Sequence, residues 1–487
     1  MSTKEQGSVT KEAQAKTPPK DKISKTYHRV TINGREIKYA VRTGTIVLKS
    51  ESDEAQASIF FVAYTQEGVK HAANRPITFS FNGGPGSSSV WLHLGLLGPQ
   101  RVLMDEEGNP FPPPYKLVEN DYSMLDETDL VFIDPVSTGY SRAAEEDRAK
   151  EFHAFVQDVE SVGEFIRLYT TRYKRWASPK FLIGESYGTT RAAELSGYLQ
   201  ERHGMYLNGI ILISSILNFQ TARFTPGNDL PYILFLPTFA ATAWYHHRLD
   251  DKLQKNLSKT LDEVEDFARG EYAAALFKGA ALEGDERAQV VRKLARYTGL
   301  SEQYIEQTNL RVEIFRFTKE LLREQRRTVG RLDSRFTGID RDAAGEQFEF
   351  DPSYAAILGA YTATLNDYVR TTLKFRSDLP YEILTGRVQP WDYGKFQNQY
   401  VDVASTLRKA MTQNPALKVF VANGYFDLAT PYFATRYTFS HIEIDPELQK
   451  NISMGYYEAG HMMYIHLPSL GQLKQDMANF VRSAMSG

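Results

Sequence analysis

Residues 184–188, Gly-Glu-Ser-Tyr-Gly, are the strongest local signal for chemistry in the sequence. An apolar, strand-like run leads into them and a helical pattern follows. In a Gly-x-Ser-x-Gly elbow the glycines permit a sharp turn from strand to helix, which holds the serine hydroxyl above a sheet. The pattern therefore predicts that Ser186 is a nucleophile. The alternative is that Ser186 only caps the helix, as serine often does.

A serine nucleophile needs a histidine base, and the histidine needs an acid that fixes its tautomer. In hydrolases built on a parallel sheet, the acid and then the histidine follow the serine along the chain. Asp427 lies just past a strand-like run, and His461 follows a later β-rich stretch. We therefore predict that Asp427 and His461 complete a triad with Ser186. His441 and His466 compete with His461, and chain order and loop context favour His461 over them.

A second glycine-rich stretch, FNGGPGSSSV at 81–90, follows the strand-like run at 77–81. It is not a phosphate-binding P-loop, because no lysine follows the glycines, and it lacks the third glycine of a dinucleotide-binding fingerprint. Close apolar flanks argue against a flexible linker. The remaining interpretation is a tight turn whose backbone N–H groups face the sheet edge, where α/β hydrolases form half of the oxyanion hole.

Strand-like and helical patterns alternate along the chain and predict parallel strands covered by helices, an α/β fold. Asn33-Gly34 predicts one hairpin, and a second is expected across residues 51–56. Helices are predicted over Glu151 to Tyr173 and over Arg191 to His203. The predicted strands are ITFSF (77–81), LVFID (130–134), KFLIG (180–184), GIILIS (209–214) and KVFVAN (418–423).

Four segments are predicted from these patterns. Residues 1–25 are polar and Lys-rich, without the apolar centre of a signal peptide, and we expect a disordered arm there. Residues 26–217 and 376–487 form the two parts of the α/β core. Residues 218–375 have mainly helical periodicity and are expected to form a cap inserted between them. The compartment stays open, because a secreted or periplasmic protein whose signal was removed would begin like a cytoplasmic one.

Composition excludes several classes of function. The chain has 487 residues and a formal net charge of −3, so its charge gives no reason to expect nucleic acid as a partner. It has no cysteine, no His-Glu-x-x-His motif and no apolar run long enough to span a membrane. We therefore expect no disulfide, no metal, no cofactor and no transmembrane segment. The oligomeric state stays open, a dimer included.

Several segments together resemble the serine carboxypeptidase family, also called the carboxypeptidase Y-like or S10 peptidases. Such a combination in family order is far more specific than any one motif. The matching segments are FNGGPGSSS with the downstream LGP (97–99), FIDPVSTGYS (132–141), GESYG (184–188), NGYFDLATP (423–431) and GHM (460–462).

The resemblance implies an α/β-hydrolase fold with a helical cap and the removal of single residues from peptide C-termini through an acyl-enzyme. By position, Ser186, His461 and Asp427 would be the triad. The N–H groups of Gly84 and Tyr187 would form the oxyanion hole. The substrate carboxylate would be bound by Asn82, Gly83 and Glu185, and the candidate pocket residues are Trp91, Leu96 and Met462.

The chain departs from the family pattern at three places. Ser87 stands where eukaryotic members carry cysteine, so the chain looks like a bacterial-type member without disulfides. Gly188 and the three residues after it replace the usual Ala-Gly-x-Tyr. Leu96 stands where relatives commonly carry glutamate, and this makes a preference for basic residues less expected. The helical insertion matches too weakly to transfer specificity residues.

A role for Glu185 can also be argued from its charge, independently of the family. Beside a bound carboxylate it would place two like charges in one desolvated site, so that one of them must hold a proton. We therefore expect activity on free-acid peptides to be favoured at acidic pH. The alternative functions are ester hydrolysis or acyl transfer by the same triad, and a non-catalytic binding or protective protein on the same fold.

Overall fold

The computed structural model describes residues 19–486. Its strands are β1 (Lys22–Ile32), β2 (Arg35–Lys49), β3 (Ala55–Gln66), β4 (Ile77–Phe81), β5 (Gln100–Val102), β6 (Leu117–Glu119), β7 (Asp129–Ile133), β8 (Arg142–Ala143), β9 (Lys180–Ser186), β10 (Gly209–Ser215), β11 (Thr328–Val329), β12 (Thr337–Gly338), β13 (Lys418–Gly424) and β14 (Ile452–Tyr457).

Its α-helices lie between and after these strands. They are α1 (Val90–Leu92), α2 (Phe155–Arg172), α3 (Tyr187–His203), α4 (Leu230–Tyr245), α5 (Leu257–Phe267), α6 (Ala273–Lys278), α7 (Gly284–Thr298), α8 (Glu302–Gln307), α9 (Ile314–Glu320), α10 (Pro352–Asp367), α11 (Ala404–Gln413), α12 (Tyr432–Ser440), α13 (Pro446–Gln449) and α14 (Leu467–Met485). Among the residues described, no helix is both long and apolar enough to cross a membrane.

One large sheet organises the chain. Within residues 19–486 it holds ten strands in the order β1-β2-β3-β7-β4-β9-β10-β13-β14, with β8 paired to β3. Six consecutive strands of the sheet, β7-β4-β9-β10-β13-β14, run parallel to one another. At one edge β1, β2 and β3 pair antiparallel, and β3 also pairs antiparallel with β7. This mixed sheet, covered by helices, is the α/β-hydrolase fold that the sequence predicts.

The sheet is the middle of three layers. Side chains of successive residues in β9 point to opposite faces: Phe181 and Ile183 pack with α10 and α14, whereas Leu182 packs with α2, α3 and α11. Both faces are buried, which explains why the central strands read as unbroken apolar runs. The carboxyl ends of these strands are thereby held at one rigid edge.

Both hairpins are confirmed. Asn33 (φ 50°) and Gly34 (φ 73°) each adopt positive φ between β1 and β2, which is the two-residue turn that favours the twist of the flanking strands. β2 and β3 form the second antiparallel pair. β1 begins at Lys22, so the predicted disordered arm of residues 1–25 is wrong for its last four residues; residues 1–18 lie outside the described part.

The predicted strands are confirmed to within two residues at each end. Helix α3 begins at Tyr187, four residues earlier than predicted, because the chain enters the helix directly after Ser186. Helix α2 begins at Phe155 rather than Glu151, since the residues before it form a 3₁₀ turn. Helix starts are therefore the weaker part of the prediction.

The segment between β10 and β13 is largely helical. Helices α4 to α9 share a core of their own, which also takes in residues of α12. Helix α10 instead packs into the core beneath the sheet. The limits 218 and 375 for a cap insertion stay a prediction. By its packing, α10 at the end of this segment belongs to the core that the sheet forms with α14.

A buried ion cluster joins the amino ends of the parallel strands. Asp129, at the start of β7, is 3% exposed and accepts hydrogen bonds from Arg75 Nε (3.1 Å) and Arg175 Nη1 (2.5 Å). Its Oδ1 also accepts the N–H of Gln66 at 3.0 Å. Removing the carboxylate would leave the two guanidinium groups buried without an opposite charge.

Asp129→Ala is therefore expected to lower the free energy of unfolding by about 3–5 kcal/mol, measured by urea unfolding followed by circular dichroism. The control is Glu447→Ala, whose ion pair with Lys450 is exposed and should contribute less than about 1 kcal/mol. Equal losses in the two variants would contradict a structural role for the cluster.

Candidate active site

Four of the parallel strands, β4, β9, β13 and β14, deliver their carboxyl ends to one edge of the sheet. Asn82 follows β4, Ser186 ends β9, Asp427 lies in the loop after β13, and His461 lies in the loop after β14. This edge is where ligands bind in open α/β sheets. The residues predicted from separate parts of the sequence therefore meet because of strand order.

Ser186 occupies a sharp turn between β9 and α3. Its backbone has φ 59° and ψ −129°, an unfavourable conformation for a residue with a side chain, at a cost of about 1–3 kcal/mol. Glycines make the turn possible. A Cβ on Gly184 would lie 2.1 Å from Gly188 O, and a Cβ on Gly188 would lie 2.8 Å from Phe81 O. The elbow predicted from the Gly-x-Ser-x-Gly pattern is present.

The glycine-rich loop after β4 lies directly against the elbow. A Cβ on Gly83 would be 2.4 Å from Tyr187 N and 2.7 Å from Gly188 N. Tyr187 is the first residue of α3, so its N–H has no acceptor within the helix. The N–H of Gly84 donates to no group in the described part of the chain. Two backbone donors thus lie close together beside Ser186.

Asp427 and His461 form a buried pair. His461 Nδ1 and Asp427 Oδ2 are 2.8 Å apart, and the two residues are 4% and 0% exposed. Asp427 also accepts hydrogen bonds from the N–H groups of Ala429 and Thr430 and from the Thr430 hydroxyl. These bonds fix the carboxylate, which in turn fixes the imidazole ring. Nε2 is the nitrogen left for other partners.

Charge and burial oppose each other at His461. Burial is the largest single effect and lowers the pKa of the imidazole, but the charge and hydrogen bond of Asp427, together with the charge of Glu185, raise it, so that the pKa lies above its ordinary value. A raised pKa means that the imidazolium is stabilised, as a base needs after it accepts a proton. No hydrogen bond joins His461 to Ser186 Oγ within residues 19–486.

Glu185 is a buried carboxyl held by two donors. Asn82 Nδ2 donates to Oε1 at 2.9 Å, and the Tyr464 hydroxyl donates to Oε2 at 2.5 Å. Burial raises the pKa of Glu185 to about 7, although His461 and both hydrogen bonds act in the opposite direction. Near neutral pH this carboxyl therefore exchanges between an ionised form and a protonated form that can donate a hydrogen bond.

These groups line one cavity of about 180 Å³. Its walls combine backbone of the glycine-rich loop with apolar and aromatic side chains, a composition typical of sites for small ligands. The lining residues are Asn82, Gly83, Gly84, Pro85, Ser87, Trp91, Glu185, Ser186, Arg331, Leu332, Tyr354, Ile357, Leu384, Ala429, His461 and Met462.

Among the candidate pocket residues, Trp91 and Met462 line the cavity but Leu96 does not. The expectation for Leu96 is wrong because the π-helical turn His93–Leu97 directs its side chain into the core, where it is 0% exposed.

The competing histidines lie elsewhere. His441 is exposed at the end of α12, where its Nδ1 lies 2.8 Å from the carbonyl of Tyr437. His466 contacts Ser469 Oγ at 2.8 Å and does not line the cavity. The preference for His461 on chain order agrees with this placement.

Three contributors were missed from the sequence. Thr430 follows Asp427 by three residues, a spacing at which a hydroxyl often returns to a carboxylate in a turn, so it could have been found. Tyr464 carries no such signal. Arg191, which is 1% exposed, donates to the carbonyl of Asn82 at 2.7 Å and pairs with Asp158.

Comparison with known proteins identifies relatives over most of the chain. A family model described as serine carboxypeptidase (Peptidase S10) matches residues 42–466. The pheromone-processing carboxypeptidase KEX1 of Saccharomyces cerevisiae is 32% identical over 158 residues, which is 30% of this chain and 20% of that protein. Serine carboxypeptidase-like 33 of Arabidopsis thaliana is 28% identical over 165 residues, 33% of this chain and 32% of that protein.

These alignments thus span less than a third of each relative's length. The fold of a solved structure is similar over most of the chain. The crystal structure of the KEX1 prohormone-processing carboxypeptidase from Saccharomyces cerevisiae superposes with a TM-score of 0.55 at 17% identity, covering 91% of this chain and 92% of that one.

The contact between the glycine-rich loop and the elbow can be tested by adding one methyl group. Gly83→Ala would force the loop away from Tyr187 N and should lower the rate of Ser186 phosphonylation by a fluorophosphonate by roughly 10²–10³-fold, the usual effect of losing an oxyanion donor. Gly270→Ala is the control, because a Cβ there meets nothing within 4 Å. Equal rates in the two variants would contradict the arrangement.

Proposed function

The chain belongs to the serine carboxypeptidase family, and from that premise we propose that it is a serine-type carboxypeptidase. It would hydrolyse the last peptide bond of a peptide through an acyl-enzyme on Ser186. The single observation that carries this proposal is the buried Glu185 carboxyl, bonded to Asn82 and Tyr464 in the same cavity as Ser186 and His461.

Acylation would use the groups at the sheet edge in sequence. Ser186 Oγ attacks the carbonyl carbon of the last peptide bond, and its proton passes to Nε2 of His461. Asp427, bonded to Nδ1, stabilises the imidazolium. The N–H groups of Gly84 and Tyr187 donate to the oxyanion. The intermediate collapses, the C–N bond breaks, and His461 returns the proton to the leaving amine, releasing one amino acid.

Deacylation would repeat the same steps with water. His461 removes a proton from the water, whose oxygen attacks the ester carbonyl carbon of the acyl-enzyme. The ester bond breaks, Ser186 recovers its proton from the imidazolium, and the shortened peptide leaves. The hydrogen bond between Ser186 and His461 would form on substrate binding, because such bonds are often long or absent without substrate.

Recognition of a chain end rests on Glu185. When protonated, it donates a hydrogen bond to the α-carboxylate of the substrate, and Asn82 and the backbone of Gly83 complete the contact. When ionised, it repels that carboxylate. The small cavity of about 180 Å³ supports an exopeptidase, since it has room for little more than one residue beyond the scissile bond. Ester hydrolysis or acyl transfer is the alternative use of the same residues.

Directional cleavage is the first test. The wild-type chain should remove single residues from the C-termini of a mixed peptide set read out by mass spectrometry, and a fluorophosphonate should label Ser186. Ser186→Ala should lose the label and at least 10³-fold in kcat, whereas Ser52→Ala, in an exposed turn, should keep both. An unlabelled wild type would favour a binding protein, and labelling without peptide cleavage would favour an esterase or acyltransferase.

The pH dependence is the second test. Because burial raises the pKa of Glu185 to about 7, the protonated form is present below that pH and lost above it. For free-acid peptides, kcat/KM, which reports the free enzyme, should therefore fall as pH rises through about 7. In kcat, which reports the bound complex, the substrate carboxylate should move the fall to higher pH. Substrates with a C-terminal amide or ester lack the repelled charge and should show no such fall.

Glu185→Gln separates this account from general effects of pH, because the amide is a neutral donor at every pH. The profiles for free-acid and amide substrates should converge in this variant. Its acid limb should also move to lower pH, since Glu185 raises the pKa of His461. If the two profiles differ in the variant as much as in the wild type, Glu185 does not read the chain end.

A further inference from the structure

The cavity contains one cation that the triad and the carboxylate site do not use. Arg331 lines the cavity together with Ser186 and His461 and is partly exposed. Its guanidinium makes no hydrogen bond, ion pair or contact with an aromatic ring within residues 19–486. By contrast, the buried Arg191 and Arg335 are paired with carboxylates.

The backbone that carries Arg331 is fixed on both sides. The N–H groups of Arg331 and Leu332 donate to the two carboxylate oxygens of Asp351 at 3.1 and 3.2 Å. Their carbonyls accept the N–H groups of Leu428 (3.1 Å) and His461 (2.7 Å). The guanidinium is therefore presented from a rigid segment tied directly to the two loops that carry Asp427 and His461.

The acidic side chains near the guanidinium already have other hydrogen-bond partners. Arg331 acts on His461, whose pKa it lowers against the larger opposing effect of Asp427. Asp427 is bonded to His461 and Thr430, and Glu185 is bonded to Asn82 and Tyr464. Neither carboxyl is a partner of Arg331. An unpaired guanidinium in a confined cavity is best stabilised by an anion that arrives with the ligand.

We propose that Arg331 is a specificity-determining residue that binds the side-chain carboxylate of an acidic C-terminal residue, aspartate or glutamate, in the substrate. This inference rests on the proposed carboxypeptidase function, in which Glu185 and Asn82 hold the α-carboxylate. The planar guanidinium suits a carboxylate because two parallel N–H groups can donate to its two oxygens. Glu185 is the only acidic residue that lines the cavity in the described part, so a basic side chain has no free partner there.

The test compares two blocked dipeptides of nearly equal shape, one ending in Ala-Glu and one in Ala-Gln, at pH 6. There the substrate side chain is ionised, since glutamate has a pKa of about 4.3, and Glu185 is largely protonated. The ratio of kcat/KM for the two should be about 10 or more in the wild type, as expected for a hydrogen bond to a charged group. In Arg331→Met the ratio should fall to about 1 or below.

Two further variants make the ratio interpretable. Arg331→Lys keeps the charge without the planar fork and should give an intermediate ratio. Arg292→Met removes an exposed arginine of α7 and should keep the wild-type ratio. Fluorophosphonate labelling of Ser186 in each variant reports that the site is folded. The ratio in the wild type tests the proposal even if Arg331→Met does not fold.

The outcomes separate this inference from the proposed function. If the wild type cleaves both dipeptides with a ratio near 1, or if Arg331→Met keeps the wild-type ratio, the inference is wrong and the carboxypeptidase stands. If Arg331→Met lowers kcat/KM equally for both dipeptides, Arg331 serves the α-carboxylate instead, which also overturns it. If the wild type cleaves neither dipeptide, the proposed function fails, and the inference fails with it.

Discussion

The close approach of two backbone segments is the constraint on which this site depends. The loop that begins at Asn82 lies against the elbow at Ser186, at distances that no side chain would allow at Gly83 or Gly188. Arg191 holds the contact from behind through the carbonyl of Asn82. Because the two segments touch, the N–H groups of Gly84 and Tyr187 lie near each other, and Asn82 reaches Glu185.

Burial gives the same residues their electrostatic properties. A carboxyl at the position of Glu185 would be ionised in water near pH 7, but here desolvation outweighs the two hydrogen bonds and the imidazole beside it. His461 is also buried, but there the charges around the imidazole outweigh desolvation and raise its pKa, because Asp427 is in direct contact. Burial thus acts on both groups, and the pKa of each is raised for a different reason: desolvation for Glu185, and neighbouring carboxylates for His461.

Much of the fold could be predicted from the sequence, because its signals are local. Asn33-Gly34 has the backbone preferences of its turn, and the central strands are apolar on both faces since helices cover both. The meeting of Ser186, Asp427 and His461 followed from a general rule about the ends of parallel strands.

What could not be predicted depends on contacts between distant segments. The side chain of Leu96 points away from the cavity because it lies in a π-helical turn, and no periodicity in the sequence predicts that turn. Arg331 lies in the loop between the two-residue strands β11 and β12, where neither a helical nor a strand pattern applies. Tyr464 reaches Glu185 only because the loop after β14 folds back. Each is fixed by tertiary packing, which overrides local preference.

The hydrogen bonds from Leu428 N–H to the carbonyl of Arg331 and from His461 N–H to that of Leu332 have a consequence for how such a chain can diversify. The segment between β10 and β13 is not a detachable module, since deleting it would leave the N–H groups of Leu428 and His461 without their acceptors. Variation within this segment is therefore confined to side chains and to helices away from Arg331 and Leu332, while these two residues must keep their backbone path.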